Sequence, residues 1–217
     1  MHRLRARPYA AALVALALAV TTASCTGSDE PEGAPSPAPS SAPAESPATS
    51  DEPAPESVQP RVRVTRVSGR LKPKDQEVLA DNVGKVVNAY FEDAFTGGAY
   101  PRTSFGDAFA TFSDGAARQA DGDRDLLTNR VLGPQTESVV VRRQTAYLSV
   151  LAPYKVAAGV TATVHLRFVA ERADKPAKRV DVKGRLMLTR KEKSGGWKIF
   201  GYDLTQDATT AGEGGAR

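Results

Sequence analysis

Residues 160–170 read VTATVHLRFVA and residues 179–190 read RVDVKGRLMLTR. In the first, Val160, Ala162, Val164, Leu166 and Phe168 alternate with Thr161, Thr163, His165 and Arg167. In the second, Val180, Val182, Gly184, Leu186 and Leu188 alternate with Asp181, Lys183, Arg185 and Met187. A strand turns successive side chains to opposite sides, so each segment has one apolar and one polar face. Residues 138–151 are long for one strand and are expected to bend or carry a bulge. Residues 197–204 are apolar on both faces. The links 153–159, 172–178 and 191–196 contain Pro, Gly or charge, as hairpin loops do. Together these segments are expected to form an antiparallel meander whose apolar face needs a cover.

The cover lies upstream. Pro73 suits the first turn of a helix, and Asp75 and Glu77 suit its positive end. Leu79, Val83, Val86, Val87, Tyr90, Phe91 and Ala94 recur at three- and four-residue steps as far as Phe95. They form one apolar stripe, with Asp81, Lys85, Asn88 and Glu92 on the far side. Gly97-Gly98 ends the helix. Phe105, Phe109 and Phe112 have helical spacing, Ser113 can cap a short helix through Arg118, and residues 123–128 make another turn. These pieces are expected to close one end of the sheet. Arg61 and Arg63 alternate with Val62 and Val64, which predicts a weak strand or an extended lead-in.

The N-terminus has three parts: basic His2–Arg7, an apolar run from Ala10 to Val20, and small residues from Thr21 to Ser24. That is the build of a secretory signal, and the apolar run falls short of the roughly 20 residues that span a bilayer. The stretch 26–60 carries nine Pro, seven Ser, six Ala and seven acids, and no Lys or Arg. Val58 is its one large aliphatic residue. Such a segment cannot offset its ordering entropy by burial and reads as a disordered tether. Its reach lies between roughly 35 Å as a coil and roughly 110 Å as polyproline II. The layout is therefore a signal peptide over 1–24, a tether over 25–60, a folded domain over 61–207 and a loose tail over 208–217.

The formal charge of +4 hides an asymmetry. Three of the 29 basic residues (Arg3, Arg5, Arg7) leave with the signal, and seven of the 25 acids sit in the tether. From residue 61 onward, 26 basic residues face 18 acids. A basic domain on an acidic string suggests an anionic neighbour, an envelope polymer or lipid headgroups, against the plainer reading of a solubilising surface. Nucleic acid is not an expected partner, since the chain has an export signal and no binding motif.

Cys25 is the one cysteine, so no intramolecular disulfide can form. Thr22-Ala23-Ser24-Cys25 resembles the lipobox of bacterial lipoproteins, with Thr22 standing where Leu is usual. The resemblance implies that Cys25 becomes the first mature residue and carries lipid. The protein would then be exported and anchored to the outer face of the cell membrane. Ordinary cleavage after Ala23 or Ser24 would instead leave a lone thiol outside the cell, a liability without a use.

The order long helix, short helices, antiparallel meander, with the closing run Gly196-Trp197-Lys198-Ile199, resembles the nuclear transport factor 2-like superfamily of cone-shaped α+β domains. Many actinobacterial lipoproteins look similar, with a proline-rich stalk before such a domain. The resemblance covers about 71–205. It implies an α+β fold with the helices packed on a curved antiparallel sheet. Members include isomerases, dehydratases, hydrolases and non-catalytic binding domains, so the fold alone selects no function.

His165 is the one histidine left after signal removal, which excludes metal sites built on several His and Cys. No cofactor is expected. By strand parity His165 looks outward. Asp121, Asp123 and Asp125 alternate, but a calcium loop from Asp121 would want Gly and Glu where Leu126 and Leu132 stand. Enzymes of the cone fold place acids, Tyr or His inside the cone; here Tyr90, Asp93, Tyr147, Tyr202 and Asp203 are the candidates. Arg167, Lys183 and Arg185 form the expected basic partner face, or else an ordinary solvated sheet. The expected function is a non-catalytic binding module whose partner is an envelope protein or an anionic envelope polymer. The alternatives are a small metal-independent isomerase or hydrolase and an apolar-ligand carrier. If Phe105, Phe109 and Phe112 fill the cone, function moves to the outer face.

Overall fold

A computed structural model describes residues 58–190 and 195–212. Residues 1–57, which include the expected signal, Cys25 and nearly all of the expected tether, and residues 191–194 and 213–217 lie outside the described residues.

The chain is α+β, with one five-stranded sheet in the order β1-β2-β3-β4-β5. The strands are β1 (Arg61–Gly69), β2 (Ser138–Ala152), β3 (Gly159–Glu171), β4 (Lys178–Arg190) and β5 (Trp197–Thr210). β2 to β5 form the expected antiparallel meander. The sheet as a whole is mixed, because β1 is a full strand and pairs in parallel with β2. A parallel neighbour needs a crossover, and the long helix α1 (Pro73–Phe91) with the short helical pieces after it supplies one. A second correction concerns the C-terminus. β5 runs to Thr210, so residues 208–210 belong to the sheet and not to a loose tail. Thr209 and Thr210 pair with Arg179 and Lys178, completing the ladder at the start of β4.

α1 lays its stripe on the sheet as its spacing requires. Leu79, Val83, Val87, Tyr90 and Phe91 are all buried. The helix continues as one wide turn, Glu92–Thr96, which buries Ala94 and Phe95. Gly84 lets α1 approach β1: a Cβ there would stand 3.1 Å from Val62. The free carbonyls at the helix end are taken up by Arg102, which donates to Asp93 O at 2.6 Å and Gly97 O at 2.7 Å and stacks over Phe105.

A 3₁₀ turn (Gly106–Phe109), α2 (Asp114–Gly122) and α3 (Arg124–Leu127) follow. Ser113 caps α2 by accepting from Ala116 N. Residues 111–113 then lie against β5, with Ser113 N donating to Ile199 O and Ile199 N donating to Thr111 O. That contact covers one open sheet edge near Ile199.

Tyr90, Phe91, Phe95, Phe105, Phe109 and Phe112 meet the sheet residues Leu148, Leu166, Phe168, Leu186 and Ile199 in one core cluster. Tyr90 lies edge-on to Phe95 and Phe112, at 5.9 and 5.1 Å between centroids. The space between helices and sheet is thus filled by aromatic rings.

Candidate functional site

The five residues expected inside the cone divide between two faces. Tyr90 is fully buried, and its hydroxyl donates to Leu127 O at 3.0 Å. Burial pushes its phenol far above the usual value, with the nearby Tyr202 adding to the rise. Tyr202 sits opposite Leu186 on the core side, against Phe112, and donates to Asp123 Oδ2 at 2.7 Å. Desolvation, then the hydrogen bond and charge of Asp123, push it up to about 12. Asp93 lies at the margin of the core, half-buried, and its backbone carbonyl accepts from Arg102.

Tyr147 and Asp203 are elsewhere. Tyr147 pairs with Thr163 and is 46% exposed on the outer face of the sheet. Asp203 pairs with Arg185 on that same face and accepts its guanidinium at 2.5 Å. Parity on either side of the strand bulges decides both cases. No carboxylate among the five converges with a tyrosine on one enclosed point. Asp121 and Asp125 are engaged by Arg124 and Arg130. Among the described residues no group of three His, Cys, Asp or Glu could hold a metal ion.

The outer face carries the charge. His165, Arg167, Lys183 and Arg185 all point there, as their alternation implies, but they do not form a free basic patch. Asp181, buried among them, gathers three cations and a histidine. His165 Nε2–H donates to its Oδ1 at 2.6 Å, because an ionised carboxylate can only accept, and Arg167 Nε donates at 2.9 Å. Lys183 Nζ lies 3.7 Å away and Arg179 Nε 3.9 Å. Burial works against the Asp181 charge, but the His165 and Arg167 hydrogen bonds and the charges of Arg167 and Lys183 outweigh it. Its carboxyl is held below the ordinary range. Arg185 is answered by Asp203.

The uncompensated cations lie one and two strands away. Cross-strand partners share a face. Arg61 pairs with Thr145, Arg63 with Tyr147 and Arg66 with Ser149, which places all three arginines on the outer face. A bulge at Thr65 makes room for Arg66 there. A second bulge, in β2 between Val141 and Arg143, sets Arg142 and Arg143 together opposite Arg167. None of these five arginines enters a salt bridge among the described residues.

β1 begins opposite Thr145, so the first residues of β2 run on beyond it and leave a notch. The result is a cleft of about 460 Å³ lined by Val58, Gln59, Arg61, Arg142, Arg143, Thr145, Tyr147, Thr163 and His165, with no acid in its lining. From sequence, Arg61 and Arg63 stand out only as a strand pattern, and Arg142 and Arg143 do not stand out at all. The signal available was the doublet inside a segment too long for one regular strand.

No protein-family model matches the chain, and neither a curated protein nor a solved structure matches it.

Proposed function

We propose that this is a lipid-anchored protein of the outer face of the cell membrane. Its folded part would be a nuclear transport factor 2-like, non-catalytic binding module that works through the exposed face of its sheet. The observation that carries the reading is the division of labour between the two faces. Aromatic rings from α1 and the 105–112 segment occupy the inner side. An enzyme or an apolar-ligand carrier of the cone type would need that space open. The outer side carries five arginines with no ion-pair partner among the described residues. The signal, the Ser24-Cys25 junction and the acidic, proline-rich 26–60 stretch support export, anchoring and spacing. Among the described residues no helix is long and apolar enough to cross a membrane. Attachment through lipid on Cys25 is the anchor proposed here.

The test separates anchor from binding. Cys25→Ser should release the protein from membranes or leave it unprocessed, and the wild type should show a lipid-modified Cys25 by mass spectrometry. A soluble wild type with a free Cys25 thiol defeats the anchor. Purified Cys25→Ser protein should still be retained by washed cell envelopes. Adding Arg61→Gln and Arg63→Gln should weaken that retention. Retention that ignores both arginines defeats the binding face.

A further inference from the structure

The arginine face has a shape as well as a charge, and the shape selects the kind of anion. Along β1 a two-residue step is about 6.7 Å, so Arg61 and Arg63 stand that far apart. From the level of Arg143 to that of Arg66 the row runs about 20 Å. At one end it passes into the cleft, where Arg61 meets Arg142 and Arg143. Donors surround that cleft on several sides. The arginine guanidinium groups are joined by the hydroxyls of Thr145, Tyr147 and Thr163.

Edge protection accounts for a charge or two on an open strand such as β1. It gives no reason for five arginines of β1 and β2 without a salt bridge among the described residues, nor for a notch lined by three.

Resting on the binding face proposed above, we propose that this row binds a linear, phosphate-bearing polymer of the envelope, with one phosphate seated between Arg61, Arg142 and Arg143. A chain that repeats an anionic group meets the row several times, where a lone ion meets it once. A phosphate presents its oxygens tetrahedrally, and so accepts from more walls of a cleft at once than a planar carboxylate does. A bilayer surface fits less well. It can touch the rim but not the floor, and the most exposed apolar cluster beside β1 (Leu151, Tyr154 and Val156) lies at the opposite end of the strand from the cleft.

The experiment titrates the full-length chain in detergent with long-chain inorganic polyphosphate at a series of salt concentrations. Five phosphate contacts give a slope of log K against log salt of about −3.5. Arg142→Gln with Arg143→Gln should reduce that slope by about 1 to 2 and weaken binding about tenfold or more. Arg142→Lys with Arg143→Lys should keep the slope, which separates lost charge from lost folding. Arg185→Gln, whose charge Asp203 already answers, should leave slope and affinity in place.

The proposal is overturned if polyphosphate does not bind, or if Arg185→Gln costs as much as the double variant, which would mean bulk charge alone. It is overturned in favour of a membrane if phosphatidylglycerol vesicles bind as tightly with the same residue dependence. It is overturned as to phosphate if polyglutamate of equal length binds as tightly. Binding that emerges only after the seven tether acids are replaced by Asn or Gln would give the face to the tether. If polyphosphate fails while envelope retention still depends on Arg61 and Arg63, this inference falls and the binding face stands. If both fail, the binding face falls with it.

Discussion

Replacing Asp181 by Asn removes one negative charge from the middle of the outer face and leaves the side chain's shape intact. The cost can be worked from its surroundings. The side chain is 12% exposed and takes two short hydrogen bonds, from His165 at 2.6 Å and Arg167 at 2.9 Å. Hydrogen bonds to charged groups contribute about 1.5–3 kcal/mol each. Two effects reduce the sum. Asn keeps an acceptor oxygen, and the partners are 19–50% exposed, so water screens part of their attraction. The expected loss is about 2 kcal/mol, or about 4–8 °C in Tm for a domain of this size.

The pH dependence has a definite sign. The folded carboxyl is held below its ordinary value of 3.8, so its stabilisation is complete well above that pH. The stabilisation is lost as pH falls through the lower folded value, where wild type and variant converge. The assay is urea unfolding of both proteins across acid and neutral pH. Equal stability near neutrality refutes the reasoning. So does a difference that persists undiminished as pH falls well below 3.8, where the unfolded carboxyl takes up its proton and the contribution must shrink.

Phe91→Ala probes the cover. The ring is fully buried beside Tyr90 and Phe95, and its loss should cost about 3–5 kcal/mol in denaturant unfolding. A small loss would mean that α1 does not cover the sheet. Gly184→Ala probes the β4–β5 contact. Gly184 has φ +141°, and a Cβ there would stand 2.0 Å from Asp203 O, so the variant should lose about 3 kcal/mol or more. Gly115→Ala is the control. A Cβ there meets nothing within 4 Å in α2, and thermal melts should show no loss or a gain of up to about 1 kcal/mol.

The parts of the fold that were legible from sequence are those with a local period. The α1 stripe, the Ser113 cap and the alternation of β3 and β4 each depend on residues a few positions apart, and the structure has them where the pattern put them. The parts that were not legible depend on partners distant in sequence. The run Thr205–Thr210 has little apolar character, and it becomes strand because the polar start of β4 needs a ladder on its free side. The direction of β1 is likewise fixed by where its crossover helix returns the chain. Asp181 looked like any polar-face acid, since nothing in its own strand reveals that His165 and Arg167 close over it from β3.

The arginine face was hidden for a sharper reason. Strict alternation along β1 would keep Arg61 and Arg63 together and send Arg66 to the side of Val62 and Val64. Strict alternation along β2 would split Arg142 from Arg143. Each strand carries one bulge, at Thr65 and beside Arg142, and each bulge switches the parity of the residues after it. Val67 and Leu148 stay on the core side across these switches, while Arg66 and Arg143 join the outer face. Both bulges therefore serve burial of the aliphatic residues on either side, and the same one-residue slips gather the charge. An engineered deletion of Thr65 tests this account of the bulge. It brings Val64, Arg66 and Val67 into direct succession opposite Leu148, Ser149 and Val150, so Arg66 should stay outward, Val67 inward and the row intact, with little stability lost in unfolding assays. A deletion variant that loses much of its stability, or a cation from the row, would refute the reading that Thr65 is only the extra residue of the slip.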